Sequence, residues 1–464
     1  MTTENQRISR IAIIGSGFSG TLVAAHLLKR ARSQTEITLL EKDPRQFGRG
    51  VAYGTDLGCH LLNVPAGNMS AFPDDPRHFL RWAQERQDHL LDPPWVTRVD
   101  AGSFLPRRAY GDYINDVLDE AVRKALAGVE LIRKTEKVLG LSETPEGVSL
   151  RLLDGSRTMA DKAVLALGNF PPGDPRLAEP DFYDSCRYHG NPWEPGLLIK
   201  ILETRSCLLI GGGLTMVDWA VALKQAGYQG SIHAISRRGL WPQAHAAATP
   251  TAFALDTATP SVRRWLQSLR RHIRETGCDW RAAIDALRST NQTLWTSLPL
   301  VEKRRFLRHL RPWWDCHRHR LSQIIAGKLQ ELFDSGQLVR HVGRILEYRE
   351  RGDNVEVVLR PRGGGETVII EADAVLNCSG SESDYRQLES PLVRDLLDQG
   401  LIRPDPLRLG LDVAADGALI HQDGTPSSRL FTLGPPEKGM LWETTAVPEV
   451  RVQAAALAEG LLQT

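Results

Sequence analysis

The sequence has no two cysteines close enough to form a CxxC or CxxxxC pair. Its six cysteines, Cys59, Cys186, Cys207, Cys278, Cys316 and Cys378, are scattered and show no metal-ligand spacing, so no metal site is expected. The scatter points to a reducing compartment. It also removes the adjacent thiols with which a disulfide reductase takes electrons from a flavin, although a pair distant in sequence can still meet in space. No run approaches the roughly 18 apolar residues of a membrane span, and the polar segment Met1–Arg10 lacks the apolar centre of a signal peptide. A cytoplasmic protein with no membrane partner is therefore expected. An excess of one charge is missing too. Lys plus Arg number 57 against 56 Asp plus Glu, which gives no global attraction to nucleic acid or an anionic surface. What is present is a 464-residue chain with 42% hydrophobic residues, enough for two or three separate cores.

The chain opens on a strand-turn-helix pattern. Ile11-Ala12-Ile13-Ile14 is a short apolar run ending in glycine, and helical periodicity follows through Val23, Leu27 and Leu28. Ile37 to Leu40 makes a second strand ending at Glu41, which completes a βαβ unit. Val51 to Pro76 is rich in Gly, Pro, Asn and Asp and reads as a long functional loop. A helix is expected from Tyr110 to Ala127 and a buried strand from Ala163 to Leu167. The Gly and Pro cluster from Pro171 to Pro195 is the first plausible domain crossover. About 200 residues after the first unit the pattern returns, with a strand at Cys207–Ile210, a glycine turn, a helix to about Gly227 and a strand at Ser231–Ile235. From Ser261 to about Phe333 the chain is helical and basic. Val355–Leu359 and Thr367–Ile370 read as a hairpin, and Ala374–Leu376 with Cys378-Ser379-Gly380 is expected to lead back to the first domain.

Gly15-Ser16-Gly17-Phe18-Ser19-Gly20 is a GxGxxG. Gly15 permits the tight turn, Gly17 lets a pyrophosphate approach the backbone, and Gly20 lets the helix pack on the sheet. Phosphate then sits on free N–H groups at the helix start, while Glu41, followed by Lys42, stands where a ribose diol is read. The second motif is Gly211-Gly212-Gly213-Leu214-Thr215-Met216. Met216 replaces the third small residue and should push the helix away from the sheet, so this turn is either a working site or a degenerate one. Arg237 and Arg238 follow the second strand where an NAD site presents an acid. They could clamp a 2′-phosphate, which favours NADPH, or be a solvated pair.

These motifs, with the strand Val164–Gly168, resemble the two-dinucleotide-binding flavoproteins. The nearest likeness is to the FAD/NAD(P)-binding family of largely uncharacterised bacterial oxidoreductases. It rests on Gly50-Val51-Ala52-Tyr53-Gly54-Thr55, His60 to Ala66, Met69-Ser70, Phe72 to Pro76, Pro106 to Tyr113, Ser236 to Gly239 and Arg311-Pro312-Trp313-Trp314. The order of parts is more distantly similar to class B flavin monooxygenases, whose loop placed like Asn63–Ser70 lies against the isoalloxazine ring. The Baeyer–Villiger fingerprint FxGxxxHxxxW is absent, and Tyr188 to Trp193 stands in its place. Leu430 to Gly434 resembles the strand that closes an FAD domain, and Trp442 to Pro448 opens the final helix.

The expected fold is α/β: two Rossmann-like domains, with a discontinuous FAD domain at 1–195 and 372–464, an inserted NAD(P) domain at 196–371, and a helical insertion at 258–334. The expected cofactors are FAD and NADPH. The first motif assigns Gly15 to Gly20, Glu41 and Lys42. The resemblance adds Asn63, Met69, Ser70, Gly168, Gly434 and Thr445, and the second motif assigns Gly211, Gly213, Leu214, Thr215, Arg237 and Arg238. No catalytic residue is assigned. His60, His189 and His245 lie in loops that could reach a cleft, and Arg107, Arg108 and Tyr110 could orient a carboxylate or touch the cofactor; each can equally be structural. The arginines of the insertion, with Trp265, Trp280, Trp295, Trp313 and Trp314 between them, read as a solvated face over an aromatic core, so nucleic acid is not an expected partner. The function implied is monooxygenation of a small nucleophile through a flavin C4a-hydroperoxide. A flavin reductase or oxidase, or a flavin-bound redox-sensing interaction protein, is the alternative.

Overall fold

Short apolar runs cut by glycine become strands that feed helices. The computed structural model describes residues 8–178 and 180–463, so most of the Met1–Arg10 segment lies outside the described residues. In chain order the elements that build the site are β1 (Ser9–Ile14), α1 (Phe18–Arg30), β2 (Thr35–Glu41), α2 (Arg107–Lys124), β3 (Val129–Thr135) and β4 (Lys162–Leu165). Next come β5 (Ser206–Ile210), α3 (Leu214–Gln225), β6 (Ser231–Ser236), α4 (Gln323–Asp334), β7 (Leu338–Arg351), β8 (Ala374–Asn377), β9 (Pro426–Thr432) and α5 (Val447–Gln463).

Two parallel sheets carry these elements. The first runs β9-β4-β1-β2-β3, with the short strand Ala418–Ile420 antiparallel at its edge. The second runs β7-β6-β5-β8, flanked by Tyr188–His189 on one side and the expected hairpin, Asn354–Pro361 with Val368–Ala372, on the other. Each sheet therefore places its third, second, first and fourth strands side by side, the order of a dinucleotide-binding unit. A small antiparallel sheet, Val138–Thr144, Gly147–Leu152 and Arg157–Ala160, sits beside the first.

Three segments lie elsewhere than expected. Ala374–Asn377 does not return to the first domain. It is fully buried and pairs in parallel with β5 inside the second sheet, because its continuous apolar run needs cover on both faces. Tyr188–His189, expected in the first domain, pairs with it there. The last helix of the expected insertion, Gln323–Asp334, is likewise the crossover that packs on α3 and leads to β7. The insertion proper holds the helices Val262–Thr276, Trp280–Ala286, Asn291–Ser297 and Leu300–Arg305, the last continuing through a widened turn into Arg311–Arg318.

One apolar core runs through both sheets, from Ile13, Leu22 and Tyr110 through Leu62 and Met69 to Met216, Leu332 and Val450. No described helix is long and apolar enough to cross a membrane.

Candidate functional site

The two glycine turns are built alike, down to single hydrogen bonds. Gly15 N–H donates to the Leu40 carbonyl at 2.9 Å, and Gly211 N–H donates to the Ile235 carbonyl at 2.8 Å. Both glycines hold positive φ, +101° and +125°, which side-chain-bearing residues rarely adopt. A Cβ on either would lie 2.4 Å from a carbonyl oxygen of the crossing strand's end, that of Ala166 or Cys378. Gly20 is also obligatory, since a Cβ there would stand 1.9 Å from the Gly15 carbonyl.

Both following helices begin on glycine, Gly17 and Gly213, and neither has a side-chain cap. Their first-turn N–H groups are the unspent donors that an anion recruits. Nothing lies within 4 Å of a Cβ built on Gly213 or Gly168, and on Gly17 the nearest atom is the Gly50 Cα at 3.4 Å. The backbone at these turns is thus open to approach, and the residues present fit a pyrophosphate at each. At the end of β2 the buried Glu41 carboxylate accepts from Ser16 N–H at 3.0 Å and from Lys42 N–H at 3.0 Å. It is fixed at the edge of the first turn, while Phe18 packs on Tyr53 and Tyr110.

Met216 does occupy the position of a small residue, and it is fully buried in the core. Both helices pack chiefly on other helices, α1 on α5 and α2, and α3 on α4. The turn itself keeps its geometry. Leu214 and Thr215 form the first turn of α3. Of the two arginines after β6, Arg237 is exposed, while Arg238 donates to the Arg308 carbonyl of the insertion at 2.9 Å.

Between the sheets the loop residues converge. The Asn63 carbonyl is 3.1 Å from His245 Nε2, which joins the first domain's loop to the second domain. Met69 and Ser70 are buried; Ser70 Oγ donates to the Asp75 carbonyl at 2.6 Å, and Arg451 of α5 donates to the Ser70 carbonyl at 3.2 Å. Gly434 follows β9 and receives the Thr444 hydroxyl on its carbonyl at 3.0 Å, leaving Thr445 exposed just before α5. Burial pushes His60, His189 and His245 below the usual histidine range, so all three are neutral at pH 7. The Tyr110 hydroxyl is buried without a partner, Tyr110 lies within the aromatic cluster and Arg108 is exposed.

Sequence reasoning missed one clamp. Arg107, at the start of α2, grips Asp218 of α3 with both nitrogens, at 2.8 and 3.0 Å, and its Nε donates to the Leu61 carbonyl at 3.2 Å. Their side chains are 16% and 12% exposed. Asp218 is the only charged residue between Gly211 and Leu223, and that isolation was the available signal. Most of the insertion's arginines are exposed, and Arg281, Arg288 and Arg311 are partly buried. Arg318 and Arg320 are buried, where they pair with Glu443 and Asp285, because a charge taken out of water needs an opposite one. All six cysteines are free, and burial raises the Cys59 and Cys207 thiols to about 12, so neither is a ready thiolate.

Two glycine turns, each at the head of a Rossmann-ordered sheet, define a fold built from two dinucleotide-binding units. Residues 12–170 match the family model described as FAD-NAD(P)-binding. Across nearly the whole length, the chain superposes on the ornithine hydroxylase of Pseudomonas aeruginosa, with a TM-score of 0.66, 16% identity, and 98% and 99% of the two chains covered. The ornithine N-hydroxylase of Kutzneria sp. 744, solved with reduced FAD, NADP+ and L-ornithine, gives a TM-score of 0.61, 13% identity, and coverage of 98% and 99%. In sequence, 174 residues are 26% identical to a nitrosuccinic acid synthase of Aspergillus oryzae; the match takes in 35% of this chain and 26% of that relative's length.

Proposed function

We propose that the chain is an FAD-dependent, NADPH-using monooxygenase that oxygenates a small nucleophilic substrate. The observation that carries this reading is the pair of uncapped glycine-headed helices, one at the head of each Rossmann-ordered sheet. Flavin, once bound and reduced by NADPH, supplies the oxygen activation. The residues of the chain supply position. The first turn, through Gly15 to Gly20, takes the FAD pyrophosphate, with Glu41 and Lys42 at the ribose. The Asn63, Met69 and Ser70 loop, Gly168, Gly434 and Thr445 border the flavin. Gly211, Gly213, Leu214 and Thr215 take the second pyrophosphate, and Arg237 reads the 2′-phosphate. Arg107 and Asp218 hold the two dinucleotide units at a fixed separation. Six free cysteines fit work in the reducing cytoplasm.

The fate of oxygen tests the proposal. With FAD-loaded protein, NADPH and a panel of amines and sulfides, a substrate should lower the hydrogen peroxide formed per NADPH consumed and emerge one oxygen atom heavier. If every NADPH ends as hydrogen peroxide with the whole panel, the chain is an oxidase or reductase.

A further inference from the structure

Inside the helical insertion, away from both glycine turns, lies a cavity of about 100 Å³. Its walls include Trp265, Trp295, Trp314, Trp442 and Phe306, and no charged residue lines it. Three of the four indole N–H groups are already spent: Trp265 on the Asp256 carbonyl at 2.7 Å, Trp295 on the Gly439 carbonyl at 3.0 Å and Trp314 on Glu443 at 2.9 Å. Asn291, 7% exposed, also lines the cavity, and its Nδ2 is buried without a hydrogen-bond partner.

A buried amide donor left unpaired is costly, and an occupant that accepts from it offsets that cost. A water is poorly held, because a buried water needs two to four polar partners and the walls offer only the Asn291 amide and the Trp442 indole N–H. A cation is disfavoured as well. Lys303, Arg311 and Lys438 already stand over the rings of Trp295 and Trp442. A dry apolar cavity of about 150 Å³ holds benzene, so a six-membered ring in this smaller one reaches to its rim. Trp265 and Leu266, only partly buried on helix Val262–Thr276, give the site a rim that a small molecule can cross.

We infer that the insertion carries a binding site for a small, uncharged, mainly apolar molecule with one hydrogen-bond-accepting oxygen, such as a ketone, ester or ether, read by Asn291 Nδ2. This site does not depend on the monooxygenase reading, and its test involves no turnover. Calorimetric titration of the full chain with cyclohexanone, and with methylenecyclohexane as the isostere lacking oxygen, should give saturable binding of the ketone. The isostere should bind about five-fold or more weakly, the effect of one hydrogen bond. Asn291→Leu should abolish that preference, and Leu266→Trp, which fills the cavity from its rim, should block both molecules while circular dichroism shows an unchanged fold. The assignment is overturned if the folded wild type does not bind cyclohexanone, if both molecules bind equally, or if Leu266→Trp binds the ketone like the wild type.

Discussion

Single residues at the two turns carry separable roles. Gly17→Asp can be built without a clash, since its nearest neighbour is an ordinary contact away, whereas Gly15→Ala and Gly20→Ala cannot. Gly17→Asp should therefore fold, melt near the wild type and lose FAD affinity by at least about a hundred-fold, roughly 3 kcal/mol of charge repulsion, as read by flavin absorbance after reconstitution. At the second turn, Arg237→Ala should weaken NADPH by about ten-fold or more and leave NADH unchanged, while Arg238→Ala should do less. The sequence located this pair of arginines but not the division between them. What distinguishes them is a backbone carbonyl at Arg308, seventy positions away, which no local pattern reveals.

Glu437 gives a prediction in pH. Burial raises its carboxyl from 4.5 to about 8, and one oxygen has no partner. From pH 4.5 to 8 the unfolded chain releases this proton while the native chain keeps it, so stability falls across that window and is complete only below it. Glu437→Gln should match the wild type near pH 4 and exceed it at pH 8 by on the order of a few kcal/mol in urea unfolding. A constant difference at both pH values would show that Glu437 is not held neutral.

Among elements, the strands and helices around each glycine turn were legible because period and punctuation agree there. Ala374–Asn377 was misplaced for a definite reason: a short apolar run says that a strand is buried, not in which sheet. Gln323–Asp334 was joined to the insertion because crossover and insertion helices share one periodicity. The contact between α2 and α3 left one trace in the sequence, the isolated charge of Asp218. Breaking it with Asp218→Asn leaves Arg107 mostly buried and unpaired, at a cost of about 3 kcal/mol, and the partner change Arg107→Met should recover much of that loss. Urea unfolding of both single variants and the double variant measures the coupling. A coupling near zero would mean that the pair does not join the two units.

Across the whole molecule, one supersecondary unit is used twice and the second copy carries an added helical layer. Both sheets repeat the strand order, the glycine with positive φ and the hydrogen bond to the second strand, although Met216 stands in the second helix where Gly20 stands in the first. The doubled frame was visible in the sequence as two motifs with equivalent flanks. The contacts between the two units were not, since they join segments such as Asn63 and His245 that are 182 positions apart. A monooxygenase of this build needs both dinucleotides to act on one chain. Anaerobic rapid mixing of FAD-loaded protein with NADPH tests it most directly: the oxidised-flavin absorbance should bleach in a saturable phase, faster than with NADH, and Arg237→Ala should erase that preference. Flavin that stays oxidised with NADPH, in protein that holds FAD, would contradict it.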